Sequence, residues 1–221
     1  MKTKVKRTLL ISIFFLLAFA VWTVLIQTVD VKAVGVNSTD IGFAFINTRF
    51  HSLTGVNFML YNITDWLGLV PLAVCIAFGI LGFIQLIKRK SLFKVDADII
   101  ILGVYYVTVI LCYLVFEMIP INYRPVLING FAEASYPSST TLLVLSVMPT
   151  LVFQIKHRMK NIKLQRIVTV ITLFFCIFMV VGRLISGVHW LTDIMGSVLL
   201  SAGLFYAYKS VCLLSRMKYR V

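Results

Sequence analysis

Arg183, His189 and Asp193 bring a cation, an imidazole and a carboxylate to the mouth of an apolar helix, within the run Gly182-Arg-Leu-Ile-Ser-Gly-Val-His189-Trp-Leu-Thr-Asp193. A guanidinium offers a planar fork of donors that matches phosphoryl oxygens. Asp193 follows His189 by four positions, so on a helix the two share a face. A carboxylate on one ring nitrogen leaves the other free to attack phosphorus. Taken alone, such a His serves equally well as a helix cap or an anchor at headgroup level. Two further segments change the balance. Glu117-Met-Ile-Pro-Ile-Asn-Tyr-Arg124-Pro125 brings a second guanidinium to the end of an apolar run, and Tyr136-Pro137-Ser138-Ser139-Thr140-Thr141 opens the next run. Pro followed by Ser and Thr is a good helix start, and the free N–H groups of a first turn favour an anion.

The elements that carry these segments are membrane spans. Of the 221 residues 60% are hydrophobic and only 13% are charged, which is outside the range of soluble domains. Runs of roughly 18 or more apolar residues, enough to cross a hydrocarbon core, lie at 9–26, 66–87, 99–119, 138–155, 164–181 and 190–208. The sequence therefore predicts an all-α, six-transmembrane-helix bundle in one domain spanning 1–221, with its signature region at 117–193. The net charge of +13 would suit a nucleic-acid partner, but all except four of the 21 Lys and Arg residues flank the spans on one side. By the positive-inside rule both termini are cytoplasmic and the chemistry faces outward, in a multi-pass protein of the cell membrane with the bilayer, not nucleic acid, as its surroundings. The four exceptions are Lys32, Arg49, Arg124 and Arg183.

The longest stretch between spans, 29–65, repeats apolar residues at helical spacing (Phe43, Ile46, Phe50, then Leu53, Val56, Leu60, Ile63). It is expected to form an outer interfacial helical segment, serving as a lid, a groove for a lipid chain or a packed cap. Cys75, Cys112, Cys176 and Cys212 fall singly inside apolar runs and read as packing residues, so no metal or other cofactor is expected.

In these three segments the chain resembles the type 2 phosphatidic acid phosphatase and vanadium haloperoxidase superfamily, its membrane lipid phosphatases in particular. The family's third signature (Ser-Arg, five residues, His, three residues, Asp) is matched by Arg183, His189 and Asp193, with Gly182 for the Ser. The first survives as Arg124-Pro125 and the second as Pro137-Ser138. The resemblance implies His189 as a phosphohistidine-forming nucleophile, Asp193 as its orienting partner, and Arg124, Ser138, Ser139, Thr140 and Arg183 as phosphate ligands, with no metal. It implies a membrane phosphatase acting at the outer face on a lipid phosphate or lipid pyrophosphate. Two departures bear on catalysis: Glu117 stands where the family has a phosphate-binding Lys, and Thr140 where it has the His that protonates the leaving oxygen. Glu117 or Glu133 is then a candidate acid, or the substrate has a good leaving group. The alternative is a weak or inactive homologue that binds or helps transport a phosphorylated lipid. Neither the lipid nor the oligomeric state is legible.

Overall fold

A computed structural model describes residues 2–218. The described chain runs α1 (Lys2–Thr28), α2 (Ala44–Thr54), α3 (Phe58–Leu67), α4 (Leu69–Arg89), α5 (Ala97–Met118), α6 (Ser139–Arg158), α7 (Ile162–Ile185) and α8 (Leu191–Lys218). Six stretches are long and apolar enough to cross a membrane, the second of them, Phe58–Arg89, combining α3 and α4. The protein is thus a helical multi-pass membrane protein. Its outward surface is apolar, as in Leu10, Phe14 and Leu17 of α1 or Phe174 of α7. Contact with lipid tails removes any penalty for exposing these groups.

Helix α8 is the axis, packing against α1, α5 and α6. It carries small residues where neighbours approach. A Cβ at Gly203 would lie 2.7 Å from Leu16 Cδ2, and the Ser12 hydroxyl donates to the Gly203 carbonyl at 2.8 Å. A Cβ at Gly196 would lie 2.3 Å from the ring of Tyr136. Close backbone approach with interhelical hydrogen bonds is how helices associate in lipid, where apolar burial alone supplies little. The core beside this axis gathers Phe19, Ile26, Leu102, Tyr105, Tyr136, Leu142, Leu200 and Tyr208 from four spans and the loop before α6.

The segment at 29–65 departs from one uninterrupted apolar stripe. Gly55, at φ +63°, ends α2, and α3 begins after Asn57, whose side chain caps the helix by accepting from the Leu60 N–H at 2.9 Å. Helix α3 then runs through Gly68, which is itself in helical conformation, into α4, so it belongs to the second span. The reason is packing. Thr64 is fully buried against α7 at Gly182, where a Cβ would sit 2.7 Å from Thr64 Cγ2.

At the opposite end of the bundle from the 182–193 run, a charged clasp ties α4, α5 and α6. Arg89 and Arg158 both pair with Asp96, at 2.7 and 3.1 Å, and Arg158 also pairs with Asp98 at 2.9 Å.

Candidate active site

Three loops and one helix start build the site. Between α5 and α6 the chain folds into a short hairpin. The Arg124 N–H donates to the Glu133 carbonyl, the Ser135 N–H to Asn122, and Ile128 and Phe131 bond each other both ways across Asn129-Gly130. Both turn residues have positive φ (+50° and +84°), the pairing that a tight two-residue hairpin turn demands. This register sets Glu133 opposite Arg124, and their side chains pair at 3.2 Å.

The α7–α8 turn depends on Gly187. Its φ is +68°, and a Cβ there would lie 1.9 Å from the Gly55 carbonyl oxygen. The Asn57 N–H also donates to the Ser186 carbonyl at 3.0 Å. Thus the α2–α3 turn is docked directly onto the loop that carries His189.

His189 and Arg183 are both almost fully buried, and Arg183 Nη2 lies 3.3 Å from His189 Nε2. A guanidinium is a donor only, so Nε2 must be the acceptor nitrogen and the ring proton resides on Nδ1. Burial, with the nearby charges of Arg183 and then Arg124, holds the imidazole pKa well below its usual 6.5, against a smaller opposing contribution from the Ser135 backbone. The ring is therefore neutral near pH 7, with its lone pair directed at the guanidinium.

Asp193 does not make the expected bond to this ring. Its Oδ2 is 3.8 Å from His189 Nδ1, too long for a hydrogen bond, and Nδ1 has no other partner. The carboxylate instead accepts from the Trp190 N–H at 2.9 Å and from Asn122 Nδ2 at 3.1 Å. It reaches back to the residue before α8 as the third residue of a capping box does, which fixes the helix start under His189.

Arg124 and Arg183 both lie against the ring of Tyr61. Their guanidinium carbons lie 5.8 and 4.8 Å from the centre of the Tyr61 ring. Arg183 also has Asp65 within 3.5 Å. On each guanidinium Nε and Nη1 are buried without a hydrogen-bond partner. Unsatisfied buried donors of this kind are costly, and an anion between them would satisfy them.

The remaining expected residues divide. Ser139 lines a cavity of about 10 Å³ together with His189, Glu117 and Ser135, and the guanidiniums are not among its walls. Thr140 lines a neighbouring, mostly apolar cavity of about 380 Å³ with Asp65, Gly68 and Leu72. The two share Tyr113, Ser139 and Leu142. Ser138 is fully buried and its hydroxyl donates to Thr141 at 3.1 Å, so it builds the start of α6. Glu117 is exposed at the rim of the small cavity it shares with His189, and Glu133 is 40% exposed in its pair with Arg124. Sequence reasoning missed Tyr61, Asp65 and Asn122. Tyr61 and Asp65 are one turn apart on α3, a signal that becomes readable only once that helix is known to face α7. For the hairpin, the Asn129-Gly130 pair was the available cue.

Comparison with known proteins bears on the fold and the family. No curated protein matches the sequence. The fold is similar to the crystal structure of a transmembrane PAP2-type phosphatidylglycerolphosphate phosphatase from Bacillus subtilis, with a TM-score of 0.63, 18% identity and coverage of 91% of this chain and 95% of that one. Residues 99–215, which hold all three signature segments, match the model of the PAP2 superfamily. That match takes in more than half of the chain and the residues that carry the site, and the protein therefore belongs to the PAP2 superfamily.

Proposed function

We propose that the chain, as one domain over 1–221, is a phosphatase that hydrolyses a lipid phosphate or lipid pyrophosphate at the outer membrane face through a phosphohistidine at His189. The observation that carries this reading is the buried His189 Nε2 lying 3.3 Å from Arg183 Nη2, beside two guanidiniums with four buried nitrogens that make no hydrogen bond. Arg124 and Arg183 would hold the phosphoryl oxygens with fixed, water-shielded donors, supported by the first turn of α6 at Ser139. The apolar cavity at Thr140 is within the ~300–1,000 Å³ range of small-molecule sites and suits a lipid chain next to the phosphate. Membership of the family supports a hydrolase, and the similar Bacillus subtilis protein is named for a phospholipid phosphate.

In the first step His189 Nε2 attacks phosphorus; the P–N bond forms as the bond to the leaving oxygen breaks, and that oxygen departs with the electron pair. Water then attacks the phosphohistidine, the P–N bond breaks and inorganic phosphate leaves, with the proton passing to solvent. The Thr140 hydroxyl is too weak an acid to protonate a leaving oxygen, and Asp65, the carboxylate in the same cavity, is paired with Arg183, so a leaving group that is stable without a proton is favoured. A lipid monophosphate expelled from a pyrophosphate is such a group. The same feature favours the second reading, a homologue that binds a phosphorylated lipid without turnover, because a lost general acid costs about 10²–10⁴-fold in rate.

Phosphate release by purified protein from phosphatidate, phosphatidylglycerol phosphate and polyprenyl pyrophosphate tests the choice. The pyrophosphate is expected to turn over fastest, and His189→Ala to lose release while retaining lipid binding. Binding with no His189-dependent release from any of the three would establish the second reading.

A further inference from the structure

Helix α3 lies outside the matched residues 99–215 and holds none of the signatures, yet it supplies two side chains to the clamps. Tyr61 and Asp65 are four residues apart and so project from the same face. The Arg183 guanidinium carbon is 4.8 Å and that of Arg124 5.8 Å from the Tyr61 ring centre, both inside the ~6 Å range of a cation–π contact. Two like charges confined in a buried site repel each other. An aromatic ring in contact with both offsets part of that repulsion and helps fix where the guanidiniums lie. Asp65 adds a carboxylate 3.5 Å from Arg183 Nη1, while Glu133 does the same for Arg124 at 3.2 Å. The Asp65 side chain is 57% exposed, so it can leave this position at little cost in packing.

The docking of α3 is specific. Thr64, between the two residues, fills the space left by Gly182, which stands where the family signature has Ser; a Cβ there would lie 2.7 Å from Thr64 Cγ2. The Asn57 N–H bonds the Ser186 carbonyl at the other end of the same turn. Helix α3 is thereby registered against the stretch that carries both Arg183 and His189.

We infer that α3 is a working wall of the phosphate site, with Tyr61 as the positioning residue for Arg124 and Arg183 and Asp65 as the counter-ion that an incoming phosphoryl group displaces from Arg183. This rests on the reading of the site as a phosphate clamp. It differs from that reading in placing a determinant of phosphate affinity outside the family's signatures.

The test is calorimetric binding of inorganic phosphate and of orthovanadate to the full-length protein in detergent, with KM and kcat on the best lipid substrate. Tyr61→Phe keeps the ring and should bind phosphate within about twofold of the parent. Tyr61→Leu should weaken binding and raise KM by about tenfold with kcat little changed, the scale of one strong cation–π contact. Asp65→Asn should tighten phosphate binding by about threefold or more, because a surface-accessible ion pair contributes only modestly. Unchanged phosphate affinity in Tyr61→Leu, or weaker affinity in Asp65→Asn, would overturn the inference. Arg183→Ala separates the two levels of the argument: full phosphate affinity in that variant would remove the clamp itself, whereas its loss together with an unaffected Tyr61→Leu would remove only the role of α3.

Discussion

At the scale of single residues, the electrostatic state of His189 decides what the site can do. A protonated imidazole beside two guanidiniums would be a third cation and no nucleophile. Burial, Arg183 and Arg124 all push the other way, so the folded-state pKa lies well below 6.5. Between 6.5 and the folded value the unfolded chain takes up a proton that the native ring does not, so stability is full above pH 6.5 and declines as pH falls toward the folded pKa. Nuclear magnetic resonance of histidine-labelled protein should find the His189 ring neutral at pH 6, with its proton on Nδ1. A ring that titrates near 6.5 would contradict the geometry at Nε2. Arg124, Arg183, His189 and Asp193 were legible in the sequence because they stand at the spacing of the family's first and third signatures. The actual partners of Asp193, the Trp190 N–H and Asn122, were not, because spacing gives a shared face and no distance.

At the scale of elements, the six spans could be read from apolar runs, since lipid imposes length and polarity on any segment that crosses it. The helices extend beyond those runs; α1 starts at Lys2, and Val5 and Thr8 in its first turns are buried. The role of α3 was not readable. Its contribution is a tertiary contact with α7, more than a hundred positions away, and with Arg124, and its periodicity looks the same whether it lies on lipid or on α7. Gly187 shows how tightly that contact is held. Gly187→Ala would place a side chain at positive φ and against the Gly55 carbonyl. It should cost about 1–3 kcal/mol of stability and reduce turnover by displacing His189, both measurable as a lower unfolding midpoint and a lower kcat. An unchanged midpoint would show that the α2–α3 turn is not docked on this loop.

At the scale of the whole molecule, charge separates the two ends of the bundle. The clasp of Arg89, Asp96, Arg158 and Asp98 and the basic loops occupy one end, and the clamps with the Asn129-Gly130 hairpin occupy the other. By the positive-inside rule the clasp is expected on the cytoplasmic side. In a background without native cysteines, single cysteines at the exposed positions Ser38 and Asn129 should react with a membrane-impermeant thiol reagent in intact cells, and one at Asn161 should not. Labelling at position 161 alone would invert the assignment. With the site outside, the chain would act on lipid phosphates already delivered to the outer leaflet and release phosphate away from the cytoplasm. Such a role needs a covalent turnover cycle and more than a binding pocket. Its most direct test is rapid acid-free quenching of the enzyme with excess lipid pyrophosphate, followed by peptide mass spectrometry. One phosphoryl group is predicted on the peptide containing His189, appearing faster than or as fast as free phosphate and absent in His189→Ala. Steady phosphate release with no modification of that peptide, or modification that persists in His189→Ala, would contradict the account.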